Sequence, residues 1–323
     1  MDHSPTLIKV IKQYSKLTIK NFYIFNCNMK RLAIFAFYNE KGLINDYVVT
    51  YLKYLKEVSD NIIFVADNEP NVKELSKIYP LVSHIESYHH GEYDFGSYKI
   101  GFKYAKEHYL LDDVDEVILC NDSCFCVDSL KTAFDKMETN SCDFWSMTAS
   151  NEYEPHLQSF FLVVKKKLFN SEVFSNYLDN VKHLDSFLEI VNTYEIPLKK
   201  TFETEGFKSA SFIKAPRKNN PTFFPIKCMK VKMPLIKRKI FVDSYACKHP
   251  LIDVILYLRF KYNKAYKEIL SYYQVKTLIP VWFKFLKQKI KKFFFRIDVS
   301  SRGLVKVRLL SIPIMIYRKR LIK

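Results

Sequence analysis

Residues 88–125 read YHHGEYDFGSYKIGFKYAKEHYLLDDVDEVILCNDSCF. Within them, residues 116–120 (EVILC) are a short apolar run, which predicts a strand buried on both faces of a sheet. Asn121, Asp122 and Ser123 follow at once, at the carboxyl end of that strand, where open α/β sheets bind ligands. Their oxygens suit Mg²⁺ or Mn²⁺, with Asp122 as the expected metal ligand, and such a cation would neutralise a diphosphate. The same three residues also fit an ordinary turn followed by a helix N-cap.

The segment before this strand concentrates glycine. Three of the six glycines in the chain lie within eleven residues, in HGEYDFGSYKIGF. They would allow close approach of the backbone to a ligand, and they flank Asp94 and Lys99. Asp94 is a candidate hydrogen-bond acceptor for a sugar or base hydroxyl, and the residues after it have helical spacing. Loop geometry before a helix is the alternative explanation for the glycines.

Composition sets wider limits. The chain has 323 residues, 48% of them hydrophobic, with 22 Tyr and 27 Phe, which predicts a globular protein with a full core. Its net charge of +17 indicates an anionic partner, either nucleic acid, a membrane surface or a phosphorylated substrate. Seven scattered cysteines fit a reducing compartment. The polar start MDHSPTLIKV predicts neither a secretory signal nor a membrane span.

Strands and helices alternate through the first part of the chain. After an amphipathic, basic extension over residues 1–30, the predicted strands are Leu32–Phe37, Asn61–Ala66 and Val82–Ile85, with helices at Ile44–Val58 and Val72–Ile78. This alternation predicts a Rossmann-type α/β domain with a mostly parallel sheet flanked by helices. Tyr38 follows the first strand and is a candidate donor-binding residue.

Two further strands are predicted at Cys142–Thr148 and Pro155–Val164. The second begins with His156 and Gln158, which are two residues apart and so would share a face. This polar pair predicts contact with a sugar or a diphosphate. A strand that starts at the solvent surface would show the same pattern.

Glu195 precedes a predicted helix that stops at Gly206, in YEIPLKKTFETEGF. A carboxylate there can complement the helix dipole. It can also act as a general base that deprotonates an acceptor hydroxyl.

Several segments taken together resemble the rhamnan synthesis protein F family of bacterial glycosyltransferases, over roughly residues 31–245. They are LAIFAF, the G-x-Y-D-F-G-S-Y-K-x-G segment, ILCNDSCF, HLQSFF, YEIPL with EGF, and PLIKRKIF. The resemblance implies a GT-A type nucleotide-diphospho-sugar transferase that helps assemble rhamnose-containing or related cell-surface polysaccharide. It implies that residues 121–123 correspond to the D-x-D metal and diphosphate motif, with Asn for the first Asp and Ser for the last. It also implies that Glu195 is the catalytic base of an inverting enzyme, with Glu203 or Glu205 as alternatives.

Charge must be neutralised as the sugar leaves its nucleotide. A cation on Asp122 would do this, and Lys99 and Lys237 are the candidates if no cation is bound.

The composition then shifts at about residue 246. Residues 249–273 have the pattern of one or two helices, and VWFKFLKQKIKKFFFRIDV (281–299) combines aromatic residues with lysines.

Residues 246–323 are therefore predicted to be a basic amphipathic helical tail on an anionic membrane surface. A solvated face over a core helix or a nucleic-acid patch would have similar composition.

The expected partners are a nucleotide-diphospho-sugar donor and a lipid-linked glycan acceptor, at the cytoplasmic face of the membrane and without nucleic acid. The alternative function is a non-catalytic basic protein that binds nucleic acid or another anionic polymer. No helix-turn-helix, RNP or zinc-finger pattern supports that alternative.

Overall fold

The computed structural model describes residues 29–215, 219–243 and 245–275, together with the backbone of three strands between residues 295 and 318. The N-terminal extension expected over residues 1–30 lies outside the described residues, except for its last two.

The first part of the chain alternates strands and helices as predicted. The elements are β1 (Arg31–Phe37), α1 (Asp46–Lys56), β2 (Asn61–Ala66), α2 (Val72–Leu75), β3 (His84–Ser87), α3 (Tyr93–Glu107) and β4 (Glu116–Asn121). The apolar runs LAIFAF, NIIFVA and EVILC are almost wholly buried strands. Helix α2 is shorter than predicted and begins where the side chain of Asn71 accepts a hydrogen bond from the Glu74 amide.

The middle of the chain is less regular. Its elements are β5 (Cys124–Cys126), α4 (Lys131–Glu138), β6 (Phe144–Ser150), β7 (His156–Leu157), β8 (Phe161–Lys165), α5 (Lys166–Phe169), α6 (Glu172–Asp179), α7 (Phe187–Ile190), a π turn (Val191–Glu195), α8 (Ile196–Thr204) and β9 (Ser209–Ile213). The single strand predicted over residues 155–164 is wrong. It is two strands, because residues 158–160 leave the sheet between β7 and β8.

The remaining elements include a short strand that returns to the first half of the chain. A 3₁₀ turn (Pro221–Phe223) and α9 (Pro225–Lys230) lead to β10 (Leu235–Lys237) and a second 3₁₀ turn (Arg238–Phe241). Helices α10 (Leu251–Lys261) and α11 (Asn263–Tyr272) follow, and then β11 (Phe295–Val299), β12 (Leu304–Leu309) and β13 (Ile312–Arg318). β10 pairs antiparallel with β5.

The main sheet reverses its order between β1 and β4. The strand order is β3-β2-β1-β4-β8-β6-β7, with β9 paired to β6. Strands β3, β2, β1 and β4 are parallel to one another, and the sheet continues through antiparallel β8 and β6. The predicted, mostly parallel α/β sheet is confirmed. Because the chain moves outward from β1 to β3 and then returns to β4 on the other side, the carboxyl ends of β1 and β4 border the crevice where such sheets bind ligands.

Residues of β1 alternate between two hydrophobic clusters, one on each face of the sheet. Ala33, Phe35 and Phe37 belong to one cluster, whereas the intervening positions belong to the other, which is covered by α3. Gly101 of α3 lies so close to β1 that an added Cβ would be 2.4 Å from Ile34 Cγ2. This glycine therefore serves close helix–strand packing, and a ligand is not needed to explain it.

The region after residue 245 differs from the predicted amphipathic helical tail. Helices α10 and α11 bury Leu251, Val254 and Ile269 in the same cluster as β1 and α1. The Thr50 hydroxyl of α1 donates to Glu268 Oε1 of α11 at 2.7 Å. These helices are therefore part of the α/β domain.

The prediction of a helical tail is also wrong farther on, because residues 295–299 form a strand in the three-stranded antiparallel sheet β11-β12-β13. The lysine-rich segment over residues 281–294 lies outside the described residues. Within the described part of the chain, no helix combines the length and apolar character that crossing a bilayer requires.

Candidate active site

A cavity of about 410 Å³, called the donor cavity, opens at the carboxyl ends of β1 and β4. The structure brings five of the predicted site residues to its wall, namely Tyr38, Asp94, Asn121, Asp122 and Ser123. They come from the ends of two strands and the start of α3, so they converge because the sheet order reverses at this edge.

Exposed aromatic rings line the mouth of the donor cavity. Tyr38 is 54% exposed, Tyr93 37% and Phe187 63%. Rings with free faces beside a polar floor suit a flat, hydrogen-bonding group such as a nucleobase.

Asn121 connects the strand end to α3. Its Nδ2 donates to Asp94 Oδ2 at 2.7 Å, and its Oδ1 accepts from the Ser123 amide at 3.1 Å. A carboxylate at position 121 could not donate to Asp94, whereas an amide can donate and accept at once. The departure from an Asp at this position thus has a structural reason.

Asp122 is held by an arginine that sequence reasoning missed. Its Oδ2 accepts from the Tyr47 hydroxyl at 3.1 Å and lies 3.2 Å from Arg238 Nη2. Arg238 Nη1 donates to the Tyr47 hydroxyl at 2.6 Å and to the Tyr272 hydroxyl at 3.0 Å. Burial alone would lower the pKa of Arg238, but Asp122 and both tyrosines hold that pKa above its ordinary value, so the guanidinium stays charged.

The pairing of β10 with β5 brings two cationic side chains, Lys237 and Arg238, to residues 121–123. The register sets Lys237 opposite Cys124, next to Ser123. The Arg238 amide donates to the Ser123 carbonyl at 2.9 Å, and Lys237 Nζ donates to the Ser123 hydroxyl at 2.9 Å. Lys237 Nζ also lies 4.1 Å from the centre of the Phe160 ring. Both cations therefore reach residues 121–123 from a segment far away along the chain.

The residues around Asp122 do not fit a divalent cation. One carboxylate oxygen is already engaged by Tyr47 and Arg238, so a metal on Asp122 would face the guanidinium. The guanidinium and the metal ion would repel each other, and the repulsion would be stronger for a divalent ion than for a monovalent one. Among the described residues, no group of three or more His, Cys, Asp and Glu side chains could hold a metal.

Unlike Asp122, Asp94 forms no ion pair with a lysine or an arginine among the described residues. It follows Tyr93, whose φ of 57° is unusual for a residue other than glycine, and its Oδ2 accepts from Asn121. Burial raises the pKa of Asp94 to about 6, with a further rise from Glu195, while Asn121 and Lys237 act in the opposite sense. A carboxyl group with a pKa near neutrality can exchange protons under physiological conditions.

A smaller cavity of about 70 Å³, called the recess, adjoins the donor cavity. The two share Asp94, Asn121 and Ser123, and the recess also exposes Glu195 and Lys237. It has room for a few water molecules, or for one hydroxyl group entering from the donor cavity.

Glu195 is fixed in the wall of the recess. Its Oε2 accepts from the Ser159 amide at 2.8 Å and from the Ser159 hydroxyl at 2.5 Å. Its Oε1 lies 3.9 Å from His156 Nε2. The carboxylate therefore has one oxygen anchored by Ser159 and the other beside a histidine.

The predicted position of Glu195 at the amino-terminal end of a helix is wrong. Glu195 closes the π turn inside a continuous helical run from Phe187 to Thr204, so it does not complement a helix N-terminus. The Tyr177 hydroxyl donates to the Tyr194 carbonyl within this turn. π turns inside helices occur often at functional sites. The predicted end of the helix near Gly206 is observed, with Gly206 at φ 83°.

The structure places three of the other predicted donor-binding residues away from the two cavities. Lys99 forms an ion pair with Glu92, and its Nζ donates to the Val181 carbonyl at 2.9 Å. Gln158 Oε1 accepts from the hydroxyl of Thr148 in β6 at 2.7 Å. His156 is buried behind Glu195, with Nδ1 2.7 Å from the Glu154 carbonyl.

The shared face predicted for His156 and Gln158 is not observed, because β7 ends at Leu157. Of the alternative bases, Glu203 accepts a hydrogen bond from Ser209 at 2.5 Å. Neither Glu203 nor Glu205 lines either cavity.

Asp67 is a second residue that sequence reasoning missed. It follows β2, and its Oδ1 accepts from the amides of His90 and Gly91 at 2.7 and 2.8 Å. It thereby anchors the loop that carries Gly91, at φ 68°, into the donor cavity wall. The available signal was the same one that singled out Asn121, a polar residue directly after a buried parallel strand.

The fold and its edge cavity define an α/β protein with a mostly parallel sheet and a cavity at the edge where the strand order reverses. The chain belongs to the rhamnan synthesis protein F family, because the model of that family matches residues 62–290. The resemblance noted in the sequence is therefore confirmed.

Individual relatives are distant. Virulence protein VirA of Vibrio anguillarum is 25% identical over 197 residues, which cover 60% of this chain and 62% of that protein. The chain therefore spans about three fifths of the length of that curated relative.

Two of the solved structures to which this chain is similar also share little sequence with it. A cytidylyltransferase of Leptospira borgpetersenii has a TM-score of 0.36 at 16% identity, covering 59% of this chain and 78% of that one. Core-mannan synthase A of Aspergillus fumigatus, in an Mn/GDP form, has a TM-score of 0.32 at 10% identity, covering 60% of this chain and 74% of that one. Both TM-scores are low, so these two likenesses say nothing about activity.

Proposed function

We propose that this protein is a glycosyltransferase. It moves a sugar, rhamnose or a related deoxysugar, from a nucleotide-diphosphate donor to a lipid-linked cell-surface polysaccharide such as an O-antigen. The observation that carries the proposal is the donor cavity at the β1/β4 edge, which adjoins a recess holding an anchored carboxylate. Membership in a family described by rhamnan synthesis supports the same class of reaction.

The donor cavity has the parts that a nucleotide sugar needs. Tyr38, Tyr93 and Phe187 offer ring faces to the base at its mouth. Asp94 and Asn121 on its floor present oxygen and amide groups to sugar hydroxyls. A volume of about 410 Å³ lies within the range of small-molecule sites.

The recess supplies the base. An acceptor hydroxyl that reaches Glu195 loses its proton to the carboxylate as its oxygen attacks the anomeric carbon of the donor sugar. The bond from that carbon to the diphosphate oxygen breaks with its electron pair, and the nucleoside diphosphate leaves. A single displacement of this kind inverts the anomeric centre. Ser159 holds the carboxylate in place for it.

The acceptor is proposed to be lipid-linked because the chain is strongly basic. A net charge of +17 favours an anionic bilayer surface, where a lipid-linked glycan would be located. The expected position is the cytoplasmic face of the membrane.

The test is calorimetric titration of the full chain with UDP, dTDP and GDP, repeated on Tyr38→Ala and on Tyr79→Ala as a matched control. Tyr79 is 50% exposed, like Tyr38, but lies away from the donor cavity. We expect one nucleotide to bind and Tyr38→Ala to weaken it about 5- to 100-fold, since base stacking contributes about 1–3 kcal/mol. Tyr79→Ala should bind like the wild type.

Failure of all three nucleotides to bind a folded wild-type protein, with or without Mn²⁺, would remove the donor site. Tight, salt-sensitive binding to nucleic acid in the same preparation would then support the alternative of a basic polymer-binding protein.

A further inference from the structure

Lys237 and Arg238 reach the donor site as a pair from one short strand and the turn after it. We propose that these two side chains replace the divalent cation of the site, so that a nucleoside diphosphate binds without metal. Arg238 cancels the charge of Asp122, and Lys237 contacts the diphosphate. The inference rests on the proposed donor site and adds how that site neutralises its ligand.

Arg238 is fixed behind Asp122, outside the lining of the donor cavity. Its guanidinium donates to the hydroxyls of Tyr47 and Tyr272 and pairs with Asp122 at 3.2 Å. Its backbone is tied at both ends, since its amide donates to the Ser123 carbonyl at 2.9 Å and its carbonyl accepts from the Tyr273 hydroxyl at 3.2 Å. A guanidinium held by this many partners stays beside Asp122 whether or not a ligand is present.

The charge balance of the donor cavity requires such a cation. Asp67, Asp94 and Asp122 line it, and no lysine or arginine is among the described residues on its wall. Three uncompensated carboxylates would repel a diphosphate. Arg238 compensates Asp122 through direct contact, and two backbone amides donate to Asp67.

Lys237 is the cation with donors to spare. Its ammonium group donates to the Ser123 hydroxyl at 2.9 Å and lies over the Phe160 ring. An ammonium group has three donors, so two remain for phosphate oxygens. Because Ser123 lines both the donor cavity and the recess, a diphosphate that reaches Ser123 also reaches Lys237.

The first experiment compares titrations of the wild-type chain with UDP, dTDP and GDP in EDTA and in Mn²⁺. For the nucleotide that binds, we expect dissociation constants within about twofold of each other in the two buffers, because the site already contains its cations.

The second experiment changes one cation at a time. Lys237→Gln should weaken that nucleoside diphosphate about tenfold or more, while leaving binding of the corresponding nucleoside unchanged, because a charge-assisted contact to phosphate is lost. Lys239→Gln is the matched control, since Lys239 is exposed and lies two residues away. Arg238→Gln frees Asp122 and should make binding depend on Mn²⁺.

The outcomes separate this inference from the proposed function. Binding of a nucleotide to the wild type only in Mn²⁺ would overturn the metal-free site but keep the donor site. Equal weakening of nucleoside and diphosphate by Lys237→Gln would also overturn it. Absence of any nucleotide binding in both buffers would remove the donor site itself. If Arg238→Gln does not fold, the wild-type comparison and Lys237→Gln still decide the question.

Discussion

Asp122 and Asp94 both line the donor cavity, yet their charges are compensated in different ways. Asp122 lies 3.2 Å from the Arg238 guanidinium, which is itself fixed by two tyrosines. Asp94 accepts from two neutral groups, the Asn121 side-chain amide and the Phe95 backbone amide, and shares the recess with Glu195. Burial, reinforced by the charge of Glu195, raises its pKa to about 6. Burial raises the pKa of both carboxyl groups, but Arg238 acts against that rise at Asp122, whereas the charge of Glu195 adds to it at Asp94.

Proton transfer is proposed to occur in the recess, so a substitution there should have the largest effect on activity. Glu195→Gln keeps the shape of the side chain but cannot accept a proton. We expect sugar transfer to fall about 10²- to 10⁴-fold, with nucleotide binding retained. The measurement is the rate of nucleotide release from a nucleotide sugar with acceptor present, alongside calorimetry.

Glu205→Gln is the control for that experiment, because Glu205 is an exposed carboxylate outside both cavities. A loss of transfer from Glu205→Gln that matches the loss from Glu195→Gln would contradict the assignment of the base. Removing the Glu195 charge should also move the ionisation of Asp94 to lower pH, since Glu195 contributes to its raised pKa.

Breaking the pairing of Asp122 with Arg238 should change the stability of the folded protein. Arg238→Leu leaves a buried carboxylate without its cation and should lower the free energy of unfolding by about 3 kcal/mol. Adding Asp122→Asn to that variant removes the orphaned charge and should recover part of the loss. Urea unfolding of the two single variants and the double variant measures the coupling. Additive losses in the double variant would mean that the two side chains are not a coupled pair.

The smallest expected effect is the pH dependence of stability caused by Asp94. Its folded-state pKa of about 6 lies above the ordinary value of 3.8, so the folded protein binds the proton more tightly than the unfolded chain. The stability contributed by the protonated form is complete below about pH 4 and is lost as pH rises through 6.

Asp94→Asn should therefore stabilise the protein by at most about 3 kcal/mol at pH 8 and have little effect at pH 4. Thermal unfolding at the two pH values measures this, with the exposed Asp112→Asn as control. An equal effect of Asp94→Asn at both pH values would show that Asp94 does not titrate in this range.

The sequence alone was enough for the first four parallel strands, the first helices and one edge of the site. Apolar runs such as LAIFAF and EVILC identify buried strands, because a strand inside an α/β sheet must be hydrophobic on both faces. Polar residues placed directly after those runs, Tyr38 and Asn121 among them, mark the carboxyl edge for the same local reason.

Only the tertiary structure decided which charges meet. The pairing of Arg238 with Asp122 depends on β10 joining β5 and on α11 bringing Tyr272 alongside, contacts between segments far apart in the chain that no local period encodes. Likewise Lys99 donates to the distant Val181 carbonyl instead of lining the cavity, and His156 lies beside Glu195, which is far later in the chain. Side-chain direction at the ends of elements is set by such distant packing, and the candidate site consists mainly of element ends.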